Sequence, residues 1–207
     1  MSEHSKHTKS FKLGLTGSIG MGKTTVAKEF LLANIPVWNA DDVVANLYKK
    51  DGLGYGLIQS IVPTAVDMMG VNKKKLSAAI LEIPGLLEKI EDNIHPLLIE
   101  NRHQFIDKFF KESLLVFEIP LLYETKSDDW LDAVLVVTAP KSVQKHRVMK
   151  RKGMTKEKLN FLMSRQVPEE VKISRADYIL NTNIDIQDLK NKVKHLIDEI
   201  KENVFNS

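Results

Sequence analysis

Short apolar runs alternate along the chain with longer stretches in which apolar residues recur every three or four positions. The runs predict buried strands at 11–16, 35–38, 114–117, 133–137 and 178–180. The stretches predict amphipathic helices at 24–33, 42–49, 142–152, 154–166 and 186–204. Strands that alternate with helices are typical of an α/β fold, so we expect a parallel sheet with right-handed crossovers.

Residues 51–112 interrupt this alternation. Their apolar positions recur at helical spacing throughout, and no run among them predicts a strand. We therefore expect an all-helical insertion beside the sheet, within a single domain that spans residues 11–207. The N-terminal residues are polar and lack the apolar core of a secretory signal, so residues 1–10 are expected to form a flexible tail.

The composition excludes several kinds of protein. The 207 residues include no cysteine, which rules out a disulfide scaffold, a thiolate zinc site, an iron–sulfur cluster and a cysteine nucleophile. The 30 Lys and Arg exceed the 27 Asp and Glu by a formal charge of +3, an excess too small to favour a nucleic acid partner. No apolar run approaches the roughly 20 residues needed to cross a bilayer, so we expect a cytoplasmic protein with no membrane partner.

A glycine-rich segment lies between the first predicted strand and the first predicted helix. Its sequence matches the phosphate-loop pattern G-x-x-x-x-G-K-[ST] at every fixed position: Gly17-Ser18-Ile19-Gly20-Met21-Gly22-Lys23-Thr24. Glycines let successive backbone N–H groups point at one phosphate chain, Lys23 supplies a positive charge, and the Thr24 hydroxyl suits Mg²⁺. The alternative, a glycine-rich turn with an incidental lysine, accounts poorly for the strand–loop–helix context. The motif predicts nucleoside triphosphate binding but does not identify the reaction.

Two adjacent aspartates, Asp41 and Asp42, follow the second predicted strand. Ligands of open α/β sheets bind at the carboxyl ends of strands, where a carboxylate can accept a proton from an attacking hydroxyl or hold a metal-bound water. Either aspartate could instead cap the helix that follows. The spacing leaves both interpretations open, and two adjacent aspartates allow one to cap while the other acts.

Glu118 follows the third predicted strand, where P-loop proteins usually carry the acidic residue that orders magnesium. The apolar stretch at 120–123 lies beyond the end of that strand and suits substrate binding. Packing of this stretch under the helical insertion is the alternative, and the sequence does not choose between the two.

Basic residues are concentrated between Lys141 and Lys152, where Gln144, Arg147 and Arg151 share one predicted helical face. A solvated helix surface is the usual explanation of such a run. Because a phosphate loop is present and a glycine at 153 offers a hinge, we favour a lid over about 140–166, with a cation that stabilises the charge of phosphoryl transfer.

The order of several motifs resembles that of the dephospho-coenzyme A kinase family. Besides the phosphate loop, the motifs are Asn39-Ala-Asp41, Ile94-His-Pro-Leu97, Pro120-Leu-Leu-Tyr-Glu124, Gln144-x-x-Arg147, Arg165-Gln166 and Ala176-Asp-Tyr-Ile-Leu-Asn181. Ile-His-Pro and Pro-Leu-Leu-aromatic-Glu are more specific to this family than the phosphate loop is. The resemblance covers nearly the whole chain.

The resemblance implies a P-loop kinase fold, an α/β fold with a five-stranded parallel sheet, a helical substrate-binding insertion and a helical lid. It also implies ATP-dependent phosphorylation of the ribose 3′-hydroxyl of dephospho-CoA, the last step of coenzyme A synthesis, with Mg²⁺. ATP and dephospho-CoA are then the expected partners. No protein partner is implied, and a monomer or small homo-oligomer is expected.

Individual residues take their expected roles from the same resemblance. Asp41, Lys23 and Arg147 match catalytic positions, and Arg147 lies in the lid segment that contacts the ATP phosphates. The ATP site is expected to comprise the phosphate loop, Thr25, Arg147 and Asn181, the last near the adenine. Dephospho-CoA is expected to contact Asp41, His95, Pro120, Leu121, Leu122, Tyr123 and Glu124. The metal is expected to contact Thr24 and Glu118, as the phosphate-loop motif and the position of Glu118 after its strand indicate. From the sequence alone, His95 would more often begin a helix before Pro96.

Two positions depart from the family pattern. The family usually has Asp-Ala-Asp at positions 39–41, whereas this chain has Asn39 at the first of them. The amide lacks the negative charge that an aspartate would bring to binding a metal ion or a water there. The usual Asn-x-Gly near the adenine is Asn181-Thr182-Asn183 here. Thr182 or Asn183 is therefore expected to take the turn conformation that glycine would allow, and Asn does so more readily than most residues.

Three other functions remain open at this point. A P-loop kinase for another acceptor, such as a nucleoside monophosphate, would share the loop and the lid. A nucleotide-dependent switch would need a guanine-reading Asn-Lys-x-Asp motif, which is absent from both Asn-Lys sites, at 72–75 and at 191–194. A non-catalytic module would bind ATP without turnover.

Overall fold

The computed structural model describes residues 10–205, so the predicted tail at 1–10 lies outside the described residues except for Ser10, which is buried. The chain divides into two compact units. The sheet unit joins the residues up to Trp38 with those from Phe109 onward, and the helical unit is Asn39–Lys108. The helical unit overlaps the predicted insertion at 51–112 but begins earlier, at Asn39.

Seven strands lie within the described residues. They are β1 Phe11–Thr16, β2 Val37–Asn39, β3 Val66–Asp67, β4 Gly70–Val71, β5 Leu114–Glu118, β6 Ala133–Thr138 and β7 Tyr178–Asn181. Five of them form one sheet in the order β2-β5-β1-β6-β7, in which β1 pairs in parallel with both β5 and β6, and β6 pairs in parallel with β7. The expected α/β fold with a five-stranded parallel sheet is confirmed.

Nine helices occur in the same part of the chain. They are α1 Lys23–Leu32, α2 Ala40–Leu47, α3 Leu53–Ile61, α4 Lys73–Glu82, α5 Leu86–Lys108, α6 Lys141–Met149, α7 Lys156–Ser164, α8 Glu169–Ser174 and α9 Ile186–Phe205. The sequence analysis missed α8, because a six-residue helix is too short to establish an apolar period. None of the described helices has the length and apolar character needed to cross a bilayer.

The core of the sheet unit lies around the central strands. Every residue of β5 is buried, as expected for a parallel strand with both faces covered. Side chains from the sheet pack with apolar residues of α1 and α9, among them Leu13, Leu15, Phe30, Leu135 and Val193. This packing holds the ends of β1, β5 and β6 in place, and the loops that carry the predicted site leave the sheet there.

The second strand begins later than the apolar pattern predicted. The strand is Val37–Asn39, whereas the predicted range was 35–38. Pro36 has no N–H to donate to a ladder, and it contributes only its carbonyl, which accepts the N–H of Val116 at 3.0 Å.

The helical unit has its own core, which α2, α3, α4 and α5 surround. Its buried residues include Ile58, Leu76, Ile90 and Ile94. The prediction of no strand in this region is wrong, because β3 and β4 form a small antiparallel hairpin. Two-residue strands are too short to show an alternating pattern of apolar residues, so the sequence carries no periodic signal for them.

Candidate active site

The phosphate loop joins the end of β1, at Thr16, to the start of α1, at Lys23. Its three glycines have positive φ angles, of 149° at Gly17, 80° at Gly20 and 94° at Gly22. Only glycine adopts such conformations without strain, and their alternation with ordinary residues is the backbone pattern of anion-binding loops. The local sequence therefore accounts for the shape of the loop.

Gly20 and Gly17 also contact the neighbouring elements α6 and β6 too closely to carry a side chain. A Cβ on Gly20 would lie 2.5 Å from Cγ2 of Val148 in α6, and a Cβ on Gly17 would lie 2.5 Å from the carbonyl oxygen of Val137 in β6. The loop is thus in direct contact with both α6 and β6.

The functional side chains of the motif begin α1. Lys23 Nζ donates to the carbonyl of Gly17 at 2.5 Å, which brings the ammonium against the loop. The Thr24 hydroxyl lies 3.5 Å from Oε1 of Glu118, whose side chain is buried at the end of β5. Lysine, hydroxyl and carboxylate therefore meet beside the loop.

A hydroxyl and a carboxylate at this separation fit Mg²⁺, which usually takes one or two protein ligands and completes its shell with phosphates and water. The described residues contain no group of three or more Asp, Glu or His side chains able to hold a metal ion by themselves. Thr24 and Glu118 thus fit a magnesium ion that enters with a nucleotide.

Two glutamines, to which the sequence analysis assigned no role, hold the loop at Ile19. Oε1 of Gln166 accepts the N–H of Ile19 at 3.1 Å, and Nε2 of Gln144 donates to its carbonyl at 2.9 Å. Gln144 is buried. Both residues are recognisable in the sequence because each lies in a motif with an arginine, Gln144-x-x-Arg147 or Arg165-Gln166. The two amides satisfy both backbone groups of one loop residue from the predicted lid segment.

Arg147, the predicted lid cation, binds Thr182. Its Nη1 donates to Oγ1 of Thr182 at 2.8 Å, and its Nη2 donates to the carbonyl of the same residue at 2.9 Å. Thr182 is buried, and its Oγ1 lies 2.7 Å from the carbonyl oxygen of Met21 in the phosphate loop. Arg147 is therefore part of a hydrogen-bonded network that includes the loop.

The turn after β7 is not made in the way the sequence predicted. Among the described residues, positive φ angles outside glycine occur at Asn34 and Lys126, and not at Thr182 or Asn183. Instead, the side-chain oxygen of Asn181 accepts the N–H of Asn183 at 2.8 Å, which is an Asx turn. The prediction of a glycine-like conformation is wrong because a side chain supplies the turn.

The loop after β5 contains the residues predicted to receive the substrate. Leu122 and Tyr123 are buried, whereas Leu121 is exposed and Pro120 is partly exposed. Side-chain surface for a ligand is therefore offered by Pro120 and Leu121, while Leu122 and Tyr123 anchor the loop to the sheet unit.

Glu124, at the end of this loop, has two partners that the sequence did not reveal. Its Oε1 lies 2.8 Å from Nζ of Lys172 in α8 and accepts the N–H of Val167 at 2.8 Å. The side chain of Lys172 is completely buried. Glu124 thus belongs to a buried ion pair inside the sheet unit.

Tyr123 is held by Arg175. The phenol donates to the carbonyl of Arg175 at 3.0 Å, and the guanidinium carbon lies 4.2 Å from the centre of the ring. The same guanidinium pairs with Asp128 at 2.6 Å. Burial, partly offset by the positive charge of Arg175, raises the pKa of Tyr123 to about 12.

In the helical unit, Asn39 caps α2. Its side-chain oxygen accepts the N–H of Asp42 at 3.0 Å, and Asp41 and Asp42 both lie in the first turn. The prediction that Asp41 or Asp42 caps the helix is wrong, because α2 begins two residues earlier than expected and the N-cap position falls on Asn39. An amide caps a helix as well as a carboxylate does, which explains how Asn is accommodated there. Asp41 is exposed.

His95 lies in the middle of α5 rather than at a helix start, and its side chain is exposed. The expectation of a helix beginning before Pro96 is wrong, because Pro96 lies inside α5. A proline inside a helix removes one backbone donor and usually ends or bends the helix, which is why the sequence favoured a boundary.

Several known proteins are similar to this chain. The family model of dephospho-CoA kinase matches residues 11–188. The dephospho-CoA kinase of Brucella melitensis is 42% identical over 187 residues, which cover 89% of this chain and 92% of that protein. A crystal structure of a Thermus thermophilus protein, 28% identical, superposes with a TM-score of 0.81 over 92% of this chain and 98% of the other.

The dephospho-CoA kinase from Campylobacter jejuni, at 21% identity, has the same fold, with a TM-score of 0.61 over 92% of this chain and 97% of the other. The residues matched by the family model include the phosphate loop and the motifs that follow it, and the match to the Brucella protein covers most of both chains. The chain therefore belongs to the dephospho-CoA kinase family.

Proposed function

We propose that this protein transfers the γ-phosphoryl group of ATP to the ribose 3′-hydroxyl of dephospho-CoA, the last step of coenzyme A biosynthesis. The observation that carries the proposal is the phosphate loop, in which three positive-φ glycines lead to Lys23 and Thr24 in a chain of the dephospho-CoA kinase family. We expect the reaction to take place in the cytoplasm, with the enzyme as a monomer or a small homo-oligomer.

The ATP phosphates bind along residues 17–25. Backbone N–H groups, the Lys23 ammonium and the N-terminus of α1 all present positive charge there. Phosphoryl transfer spreads negative charge over the oxygens of the transferred group, so fixed donors of this kind stabilise the transition state electrostatically. Arg147 also contacts the ATP phosphates, and Asn181 lies near the adenine.

The Thr24 hydroxyl and the Glu118 carboxylate would hold Mg²⁺ together with the nucleotide. When bound, the ion neutralises charge on the phosphate oxygens. The burial of Glu118 and its 3.5 Å distance from the Thr24 hydroxyl support this assignment, because they keep the carboxylate beside the motif residue that P-loop proteins use for the metal.

Asp41 accepts the proton of the attacking 3′-hydroxyl as the new oxygen–phosphorus bond forms. Since Asn39 caps α2, capping no longer competes with catalysis as the explanation of Asp41. His95 and the loop from Pro120 to Glu124 receive dephospho-CoA. Within that loop, Pro120 and Leu121 contact the ligand, while Leu122, Tyr123 and Glu124 hold the loop in place.

A coupled assay for ADP release, with ATP and Mg²⁺ and with or without dephospho-CoA, tests the proposal. ADP is expected only when dephospho-CoA is present, together with a product whose mass equals that of CoA. Lys23→Ala is expected to lower turnover about 10²- to 10³-fold, whereas Lys28→Ala, an exposed lysine of the same helix, is expected to be neutral. Equal ADP release without the acceptor, or a product of another mass, would refute the proposal.

A further inference from the structure

One hydroxyl connects the phosphate loop to Arg147. Oγ1 of Thr182 receives the Nη1 donor of Arg147 at 2.8 Å and lies 2.7 Å from the carbonyl oxygen of Met21. A guanidinium can only donate, and a threonine hydroxyl carries a single hydrogen. Oγ1 therefore accepts from Arg147 and donates to a carbonyl, and Met21 is nearer than Thr138, whose oxygen lies at 3.2 Å.

Gly22 allows Thr182 to lie this close to the loop. A Cβ on Gly22 would lie 2.9 Å from Oγ1 and 3.1 Å from Cβ of Thr182, closer than side chains normally approach. The backbone of Thr182 is fixed as well, since its N–H donates to the carbonyl of Thr138 at 2.9 Å. Thr182 is only 5% exposed, so water does not readily replace the hydrogen-bond partners of its hydroxyl, and loss of those partners costs free energy.

The contact with Met21 orients a peptide group of the loop. A trans peptide is planar, so the carbonyl of Met21 and the N–H of Gly22 point in opposite directions. A bond from Thr182 to the carbonyl holds that N–H pointing away from Thr182. The two bonds from Arg147 to Thr182 fix the plane of the guanidinium in the same frame.

We propose that Thr182 is a positioning residue for the phosphate chain of the nucleotide, because its hydroxyl orients both the Met21–Gly22 peptide and the Arg147 guanidinium. The inference rests on the proposed function, which assigns the loop and Arg147 to the ATP phosphates. The neighbouring Asn181 suggests a different role, in which the turn at 181–183 recognises the adenine. The two roles differ in what the hydroxyl affects, namely the phosphates or the choice of base.

Thr182→Val and Thr182→Ser separate these roles. Valine keeps the shape of threonine and removes the hydroxyl, whereas serine keeps the hydroxyl. Thr182→Val is expected to lower kcat/KM for ATP about tenfold or more, with Thr182→Ser within about threefold of the wild type, as for loss of a hydrogen bond to a charged group. The KM for dephospho-CoA and the ratio of kcat/KM for ATP to that for GTP are expected to stay within about twofold.

Three results would overturn the inference: a valine variant as active as the wild type, a serine variant as impaired as the valine variant, or a large change in the ATP-to-GTP ratio. If Thr182→Val does not fold, Thr182→Ala and Thr182→Ser give the same comparison, since they differ by one hydroxyl oxygen.

Wild-type protein that releases no ADP with dephospho-CoA would refute the proposed function alone. Calorimetric titration of the variants with ATP and Mg²⁺, without acceptor, would then still test Thr182. Weaker ATP binding by the valine variant but not by the serine variant is the expected outcome, and equal binding by both would overturn the inference.

Discussion

Nζ of Lys172 lies 2.8 Å from Oε1 of Glu124, and no part of the Lys172 side chain is exposed. The same carboxylate oxygen accepts the N–H of Val167. Val167 follows Gln166, whose side chain binds the phosphate loop at Ile19. Glu124 therefore ties the loop after β5 both to α8, through the ion pair, and to the chain segment that contacts the phosphate loop, through Val167.

Removal of the lysine from this pair is expected to destabilise the fold. Lys172→Met leaves the Glu124 carboxylate buried without its counter-charge, so the free energy of unfolding should fall by about 3–5 kcal/mol in urea denaturation. Glu124→Gln added to that variant removes the orphaned charge and should recover part of the loss. The exposed pair of Lys141 and Glu170 is the control, since Lys141→Met should cause only a small loss in the free energy of unfolding. A loss that small for Lys172→Met would contradict the prediction.

The pKa of Tyr123 predicts a loss of stability in alkali. Burial raises this pKa from 10.0 to about 12, so the folded state holds the phenol proton more tightly than the unfolded state does. The stabilisation is fully present below about pH 10 and is lost as the pH rises through about 12. Tyr123→Phe removes the titrating group, so the stability advantage of the wild type over this variant should shrink between about pH 10 and pH 12. Denaturant unfolding of both proteins at a series of pH values measures this difference in stability. Parallel curves of stability against pH for the two proteins would contradict the assignment.

Asp41 and Asn39 separate catalysis from capping. Asp41→Asn is expected to abolish most of the dephospho-CoA kinase activity while leaving ATP affinity and the melting temperature nearly unchanged, because the cap is provided by Asn39. Asn39→Ala should have the opposite profile, with a loss of about 1 kcal/mol in stability and a smaller loss of activity. Kinetics and thermal melts of the two variants measure both effects. An Asp41→Asn enzyme within a few-fold of wild-type activity would remove Asp41 from the mechanism.

Gly20 is expected to tolerate no side chain. Alanine there would have to adopt a φ of 80° and would place its Cβ 2.5 Å from Cγ2 of Val148 and 3.1 Å from the carbonyl oxygen of Gln144. Gly20→Ala should therefore lower the melting temperature and weaken ATP binding about tenfold or more, because the loop must move away from α6.

Gly56 is the matched control for Gly20. It lies inside α3, and a Cβ there would meet nothing within 4 Å, so Gly56→Ala should raise stability by about 0.5–1 kcal/mol. Calorimetric ATP titrations and thermal melts distinguish the two glycine variants. Equal ATP affinity in wild type and Gly20→Ala would show that the loop can adapt.

Features encoded in contiguous residues were predictable from the sequence. The order of the five strands of the parallel sheet and of the longer helices between them follows from the spacing of apolar residues. The phosphate loop follows from its glycines, whose positive φ angles are a local backbone property. The residue that caps α2 was not predicted correctly. The sequence analysis considered only Asp41 and Asp42 as caps, whereas the observed start of the helix at Ala40 places the cap at Asn39.

The partners of the side chains around the loop could not be predicted in this way. Arg147 meets Thr182 across 35 positions of sequence, Ile19 meets Gln166 across 147, and Thr182 meets Met21 across 161. Nothing in the local pattern of residues chooses such partners, because they depend on how the ends of β1, β6 and β7 and the start of α6 pack together. The sequence by itself determined the α/β alternation and a loop shaped for phosphate, since both depend on neighbouring residues. Only the tertiary structure decided which distant side chains support that loop, because packing alone brings them within hydrogen-bonding distance.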